Sequence, residues 1–306
     1  LDENERAAIA RLRSPANQLG YALQLCCLRF PGRYLRRGEL LPAIMLDHVA
    51  EQIDVDADVI ADFAKRGPTR YEQLASIKRN HGFVDLTHPV RAELKQWLEA
   101  EALSCTDGRL LLERLIARMR ERKIIIPGVS VIERLTASAM HAADAKVASE
   151  ILAQLNTEQK AKLNAVLDDK THAQQSRLSW LREPPIRVGA RGLFELLDKI
   201  DYIRRLGIGE LALPDYLKLR LSQLAREGVR YTAQALQRMT LPRRMATVVA
   251  TIGEREATLA DAALLSAQRQ VAQIRRRVDA TAAALAAEIE HRSRRELGSE
   301  GLAQRL

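Results

Sequence analysis

The sequence predicts an all-α, multi-domain protein, and three observations carry that prediction. Leu, Ala, Arg and Glu dominate and aromatic residues make up only 4% of the chain, a composition suited to helices because strands prefer β-branched and aromatic side chains. Apolar residues recur at three- and four-residue spacing along most of the length. Pro, Gly and cap-forming Ser, Thr and Asp residues punctuate those stretches at helix-sized intervals. The chain has 306 residues, 47% of them apolar, which is more than one compact core usually holds.

The elements follow in order. Over residues 17–30, Leu19, Ala22, Leu23, Cys26, Cys27 and Phe30 share a helical face, and Pro31-Gly32 ends the helix. Pro42 opens a second helix, with Ile44, Met45, Val49 and Ile53 as its apolar stripe. Asp54-Val55-Asp56 turns the chain, and Asp56 caps a helix from Ala57 to Lys65 that turns Val59, Ile60 and Phe63 inward. Gly67-Pro68 breaks it. Thr69 and Glu72 then form a capping box for a helix carrying Leu74 and Ile77, and Gly82 supplies the left-handed closing residue. Two short helices, a tight turn and a third helix describe a helix-turn-helix unit, a motif also found in proteins that never touch DNA.

The second block runs from Val90 to Asp168. A helix from Leu115 enters Ile124-Ile125-Ile126, Pro127-Gly128 interrupts it, and Ser130 with Glu133 caps the next helix. Thr157 precedes another, carrying Leu163 and Val166. In the third block Pro184-Pro185 marks a loop, and Leu193, Leu196, Leu197 and Ile200 form a stripe closed by Gly207 and Gly209. A helix starts at Pro214 and stops at Gly228, Thr232 caps the next, and residues 241–253 form an apolar helix. Thr258 and Asp261 cap a last, long helix reaching roughly Leu297. It leaves Leu264, Leu265, Val271, Ile274, Val278, Leu285 and Ile289 bare, as in an inter-domain strut or a pairing surface.

Self-contained catalysis is not indicated. Asp47-His48 with Glu51 lacks a placed nucleophile, and Asp54, Asp56 and Asp58 lack the Gly and terminal Glu of a calcium loop. No phosphate-binding loop or nucleophile elbow occurs, so no metal and no cofactor are expected in this chain. Cys26, Cys27 and Cys105 have no zinc-ligand spacing and read as reduced thiols of a cytoplasmic protein. No apolar run is long enough for a membrane span.

The charge points elsewhere. Lys and Arg number 48 against 39 Asp and Glu, a net +9. The excess lies after residue 90: residues 1–90 balance at 12 and 12, residues 91–205 carry 20 and 16, and residues 206–306 carry 16 and 11. Cations gather at helix breaks. Arg33, Arg36 and Arg37 flank Tyr34. Lys65, Arg66 and Arg70 straddle the Gly67-Pro68 break, with Lys78 and Arg79 on the following helix. Arg118, Arg120, Arg122 and Lys123 precede Pro127-Gly128, and Arg134 follows it; Arg182, Arg187 and Arg191 surround Pro184-Pro185 near Trp180. Repeated basic clusters at helix junctions suit a phosphate-binding surface, because guanidinium groups fork onto paired oxygens.

Six stretches in order make the sequence recognisable: 17–33 (NQLGYALQLCCLRFPGR), 49–83 (VAEQIDVDADVIADFAKRGPTRYEQLASIKRNHGF), 120–135 (RERKIIIPGVSVIERL), 176–185 (SRLSWLREPP), 197–209 (LDKIDYIRRLGIG) and 241–252 (LPRRMATVVATI). Together they resemble the N-terminal region of transposases of the Tn-three family, which move class II replicative transposons in bacteria. One departure is Gln73, where the family often has His. The resemblance implies helical DNA-binding domains that recognise the transposon's terminal inverted repeats. It also implies that an RNase H-like catalytic domain, with three acidic residues and two Mg²⁺ ions, lies downstream of this non-catalytic fragment. The expected partners are double-stranded DNA and, in the full-length protein, a second copy. The expected place is the cytoplasm, on the nucleoid when bound. The expected domains are a helix-turn-helix domain at 1–90, a second helical DNA-binding domain at 91–205, and a helical linker or dimerisation region at 206–306. A helical interaction scaffold and a stand-alone DNA-binding regulator are the alternatives.

Overall fold

The computed structural model describes the whole chain except residues 37, 64–66, 169–174, 186–188, 210, 212–214 and 304–306, with backbone alone at 67–68, 215–217 and 295–303. The described residues are all-α, with no β-strand. Their contacts form two compact units, Leu1–Asp144 and Ala145–Leu306.

In the first unit α1 (Glu3–Ala10) precedes α2 (Pro15–Arg29), the central helix of its first core. Asp2 and Glu5 form a reciprocal capping box on α1, and Ser14 caps α2 ahead of Pro15. Nine residues of α2 are buried. Around it pack α3 (Ala43–Gln52), the 3-10 helix Ala57–Asp62 and α4 (Gly67–His81). A Cβ on Gly20 of α2 would lie 2.0 Å from the Phe63 ring, so the glycine is what lets that ring reach the helix. Gly82, at φ +72°, closes α4 as its position suggests.

A second core takes over near residue 86. It is built by α5 (His88–Ser104), α6 (Gly108–Glu121) and the first turns of α7 (Val129–Gln154), with Leu94, Leu98, Leu111, Leu115, Met119, Ile132 and Leu135 inside. The division between units falls within α7.

The second unit contains α8 (Thr157–Asp168), α9 (Arg177–Arg182), α10 (Ala190–Arg205), α11 (Asp215–Gly228), α12 (Ala233–Gln237) and α13 (Leu241–Ala303). The first third of α13 packs on α10 and α11 and buries Met245, Val248, Val249 and Ile252. Thr232 caps α12 as expected.

Several local expectations give way to packing. Ile44 is 85% exposed, so α3 turns Val49 and Ala50 inward instead. Residues 57–62 are a 3-10 helix, not an α-helix reaching Lys65. α4 begins at Gly67, which places Thr69 inside its first turn and not at its cap; likewise α7 begins at Val129, ahead of Ser130. Ile124 is not helical: Lys123 takes a left-handed φ of 52°, and Ile124 pairs with Val84 in an isolated parallel bridge. Three successive β-branched residues suit that extended path. Asn156, with Gln159, caps α8 reciprocally, one residue before the Thr157 signal. Leu197 of the α10 stripe is 44% exposed. α13 runs for 63 residues straight through Gly253. A mid-helix glycine costs only about 1 kcal/mol, less than the buried face on its N-terminal side returns. Thr258 is therefore interior, its hydroxyl donating to the Glu254 carbonyl at 2.9 Å.

Candidate nucleic-acid interface

Three chain segments of the first unit meet at one joint. The Ile126 amide donates to the Gly32 carbonyl at 2.8 Å, the Val84 amide to the Lys123 carbonyl at 3.0 Å, and the Ile125 amide to the Val84 carbonyl at 2.9 Å. A Cβ on Gly32 would lie 2.8 Å from Ile126, and its φ of +101° is one that glycine tolerates. Segments 30–36, 81–86 and 120–128 are thus laced by backbone and, with Arg70 and Lys78 of the adjoining α4, hold six of the predicted cations; Arg118 and Arg122 of the same cluster pair with Glu121 and Glu93, each at 2.8 Å.

Two of the six are neutralised. Arg33 pairs with Glu39, which holds the Glu39 carboxyl down at about 2, helped by the Arg36 amide. Lys78 pairs with Asp85 at 2.7 Å, and Asp85 also accepts from the Tyr34 hydroxyl. Burial pushes Asp85 up, but these two donors outweigh it and its pKa is lowered; burial and the same carboxylate push the Tyr34 phenol up.

Four keep their charge. Arg120 donates from Nε and Nη2 to the Pro31 carbonyl at 3.2 and 3.1 Å, and its guanidinium lies 4.9 Å from the centroid of the Phe30 ring, itself 71% exposed. Lys123 Nζ donates to the His81 carbonyl at 3.0 Å. Arg70 donates to the Leu35 carbonyl, and Arg70 and Arg36 line one open cavity of about 370 Å³ with Leu40 and Ile60. Arg36 forms no ion pair among the described residues. A carbonyl orients a cation without cancelling its charge, so this joint stays positive.

α4 runs out of the same joint. Its inner face buries Leu74, Ile77 and Gln73. Gln73 receives a bond from Gln24 at 3.3 Å and donates to the Asn17 carbonyl at 3.1 Å. Gln73 therefore faces the core. The outer face carries Tyr71, which is 74% exposed, then Ala75 and Arg79 at four-residue steps, with Glu72 and Asn80 beside them. Arg79 donates to the Ala75 carbonyl of its own helix at 3.4 Å and forms no ion pair among the described residues. Tyr71 carried no signal in the sequence, because an aromatic residue one turn before Leu74 can pack inward or face solvent.

The other predicted cations sit on other elements. Arg134, in the second turn of α7, is exposed and donates to the Ser130 carbonyl at 3.1 Å. Arg191 is exposed at the start of α10. Arg182 is half-buried, and its guanidinium donates to the Tyr231 and Gly228 carbonyls, each at 2.7 Å; burial lowers its pKa. Arg37, Lys65, Arg66 and Arg187 lie outside the described residues. Among the described residues no three His, Cys, Asp or Glu side chains gather as a metal site, and no helix is long and apolar enough to cross a membrane. The three cysteines are free, and burial pushes the Cys27 thiol up to about 11.

A domain family described only as of unknown function, DUF4158, matches residues 1–139, which fall within the first unit. The transposase of transposon Tn2501 from Escherichia coli is 32% identical over 266 residues, 85% of this chain and 26% of that protein. The transposase of Tn21 from Escherichia coli is 30% identical, and that of Tn501 from Pseudomonas aeruginosa 28%, each over 85% of this chain and 26% of its own length. The chain belongs to the Tn-three family of transposases. It spans about a quarter of the length of the curated relatives it matches. In this Tn-three family chain the joint and α4 both lie inside the stretch matched by the domain of unknown function, whereas Arg191 lies outside it.

Proposed function

We propose that the first unit binds double-stranded DNA at the terminal inverted repeats of a transposon, with α4 as its recognition helix. The observation that carries this reading is α4 itself: Tyr71, Ala75 and Arg79 line an exposed face, and the uncompensated Arg36, Arg70, Arg120 and Lys123 gather at the joint from which the helix emerges. A helix face of this kind fits the major groove, and cations on its flanks fix register by contacting phosphates. The helix-turn-helix reading assigns the 3-10 segment and α4 to the motif. Arg134 extends the phosphate-contacting surface toward a second binding region. Cleavage and strand transfer then belong to the larger share of the relatives' length that this chain does not match.

Fluorescence anisotropy with an inverted-repeat duplex and a shuffled duplex, titrated over a range of salt, tests the reading. Arg79→Ala is expected to weaken binding to the inverted repeat about 10-fold and to erode its preference over the shuffled duplex, as loss of a base-edge contact does. Equal affinity of the unaltered chain for both duplexes, with a flat salt response, would refute it.

A further inference from the structure

Beside the core residues Leu74 and Ile77, α4 buries one polar side chain, Gln73. From α2 it meets a second, Gln24, which has no exposed surface. Gln24 Nε2 donates to Gln73 Oε1 at 3.3 Å, and Gln73 Nε2 donates onward to the Asn17 carbonyl at 3.1 Å. Asn17 and Gln24 stand seven residues apart on α2, about 10 Å along its axis. One side chain of α4 is therefore held from two points of α2, two turns apart.

Stability does not explain the pair. Gln24 Oε1 is buried and has no hydrogen-bond partner among the described residues, and an unsatisfied buried acceptor costs more than a typical hydrogen bond returns. Two apolar side chains of similar size would avoid that cost. What the amides supply is direction. Apolar contacts are non-directional and tolerate a small roll of one helix on another, whereas a hydrogen bond weakens within a few tenths of an ångström and with angle. At 100° per residue Gln73 lies about 160° around α4 from Ala75, the middle residue of the exposed face. A roll of about 20° would carry side-chain tips on that face by about 2 Å, more than a base-edge hydrogen bond accepts. The ties near the ends of α4, Arg70 to the Leu35 carbonyl and Lys78 to Asp85, run through long side chains that can follow such a roll. We propose that the Gln24–Gln73 pair is a positioning device that fixes the rotation and axial register of α4 on α2, and so aims Tyr71, Ala75 and Arg79. Buried polar side chains set register at a cost in stability in other helix pairs. The inference rests on the reading of α4 as a recognition helix.

The double variant Q24L/Q73L separates positioning from stability. Its thermal midpoint should stay within about 4 °C of the unaltered chain or rise. In fluorescence anisotropy its preference for the inverted-repeat duplex over the shuffled duplex should fall about 10-fold. Its affinity for the shuffled duplex, and the salt slope of that affinity, should not change, because surface cations set both. Gln73→Leu alone strands the Gln24 amide and should melt below the double variant; a single variant that melts no lower shows that the pair is not formed and overturns the proposal. A folded double variant that keeps the preference of the unaltered chain overturns the positioning role and leaves the DNA reading intact. Lack of preference in the unaltered chain overturns both. A midpoint lowered by more than about 4 °C, or an equal loss of affinity for both duplexes, overturns it as well, since a merely structural pair would give either.

Discussion

The two units use the same contact, a cation donating to backbone carbonyls, for opposite ends. In the second unit the carbonyls ending α9 are covered by a buried lysine and a half-buried arginine. Lys199, with no exposed surface, donates to Glu183 at 2.8 Å and lies 5.5 Å from the Trp180 ring centroid. Arg255 donates to Leu181 at 2.6 Å and to Arg182 at 3.0 Å, and burial lowers its pKa. In the first unit Arg120 and Lys123 make the equivalent contact at the surface. A buried cation is held by the protein's own acceptors and has no coordination left for a ligand. An exposed one keeps donors and field for an anion from outside. Arginine count alone does not separate the two; burial does.

Five variants sharpen or break that contrast. Lys199→Met keeps the apolar stem but removes the shorter of two donors to the Glu183 carbonyl, leaving Arg255 at 3.3 Å, and breaks the 3.4 Å ion pair with Glu195; it should lower stability by about 1–3 kcal/mol in urea unfolding, and a loss near zero would remove the distinction between the units. Gly20→Ala and Gly228→Ala compare close packing in the two units. The added Cβ meets Phe63 at 2.0 Å in one and the Thr251 hydroxyl at 2.0 Å in the other, so each should lower the thermal midpoint by the equivalent of about 1–3 kcal/mol. Arg120→Ala with Lys123→Ala should change stability by less than about 1 kcal/mol. It should also flatten the salt dependence of DNA affinity by about one unit of log–log slope per cation; an unchanged slope would move the interface away from the joint. Glu39→Gln gives the smallest effect, present near neutral pH and vanishing in acid. Because Arg33 lowers the Glu39 carboxyl to about 2, its stabilising contribution is complete above the usual carboxylate range and fades as the pH falls toward about 2. The variant should therefore lose stability near neutral pH and show a shallower acid transition.

How much of this was legible in the sequence depends on the interaction involved. The inner faces of α2 and α4, the closing turn at Gly82 and the cap at Thr232 followed from local spacing and residue type. The start of α8 was misplaced by one residue because Asn156 and Thr157 can both cap it, whereas α4 and α7 begin at Gly67 and Val129, ahead of their Thr69 and Ser130 signals. The joint was not legible: residues 32, 84 and 126 are far apart in sequence and meet through main-chain bonds that no side-chain pattern announces. For the same reason Arg182 and Arg120 read alike as basic residues beside a proline, although one is half-buried against two carbonyls and the other reaches solvent.

The sequence by itself determined the helical class, most helix faces and the spacing of apolar residues along α13, because each depends on residues a few positions apart. Tertiary structure alone decided the two-unit division, the inward turn of Gln73, the exposure of Tyr71, and which cations stay free of an internal partner. Those properties depend on what packs against a residue from a distant part of the chain, and short-range periodicity carries no record of that.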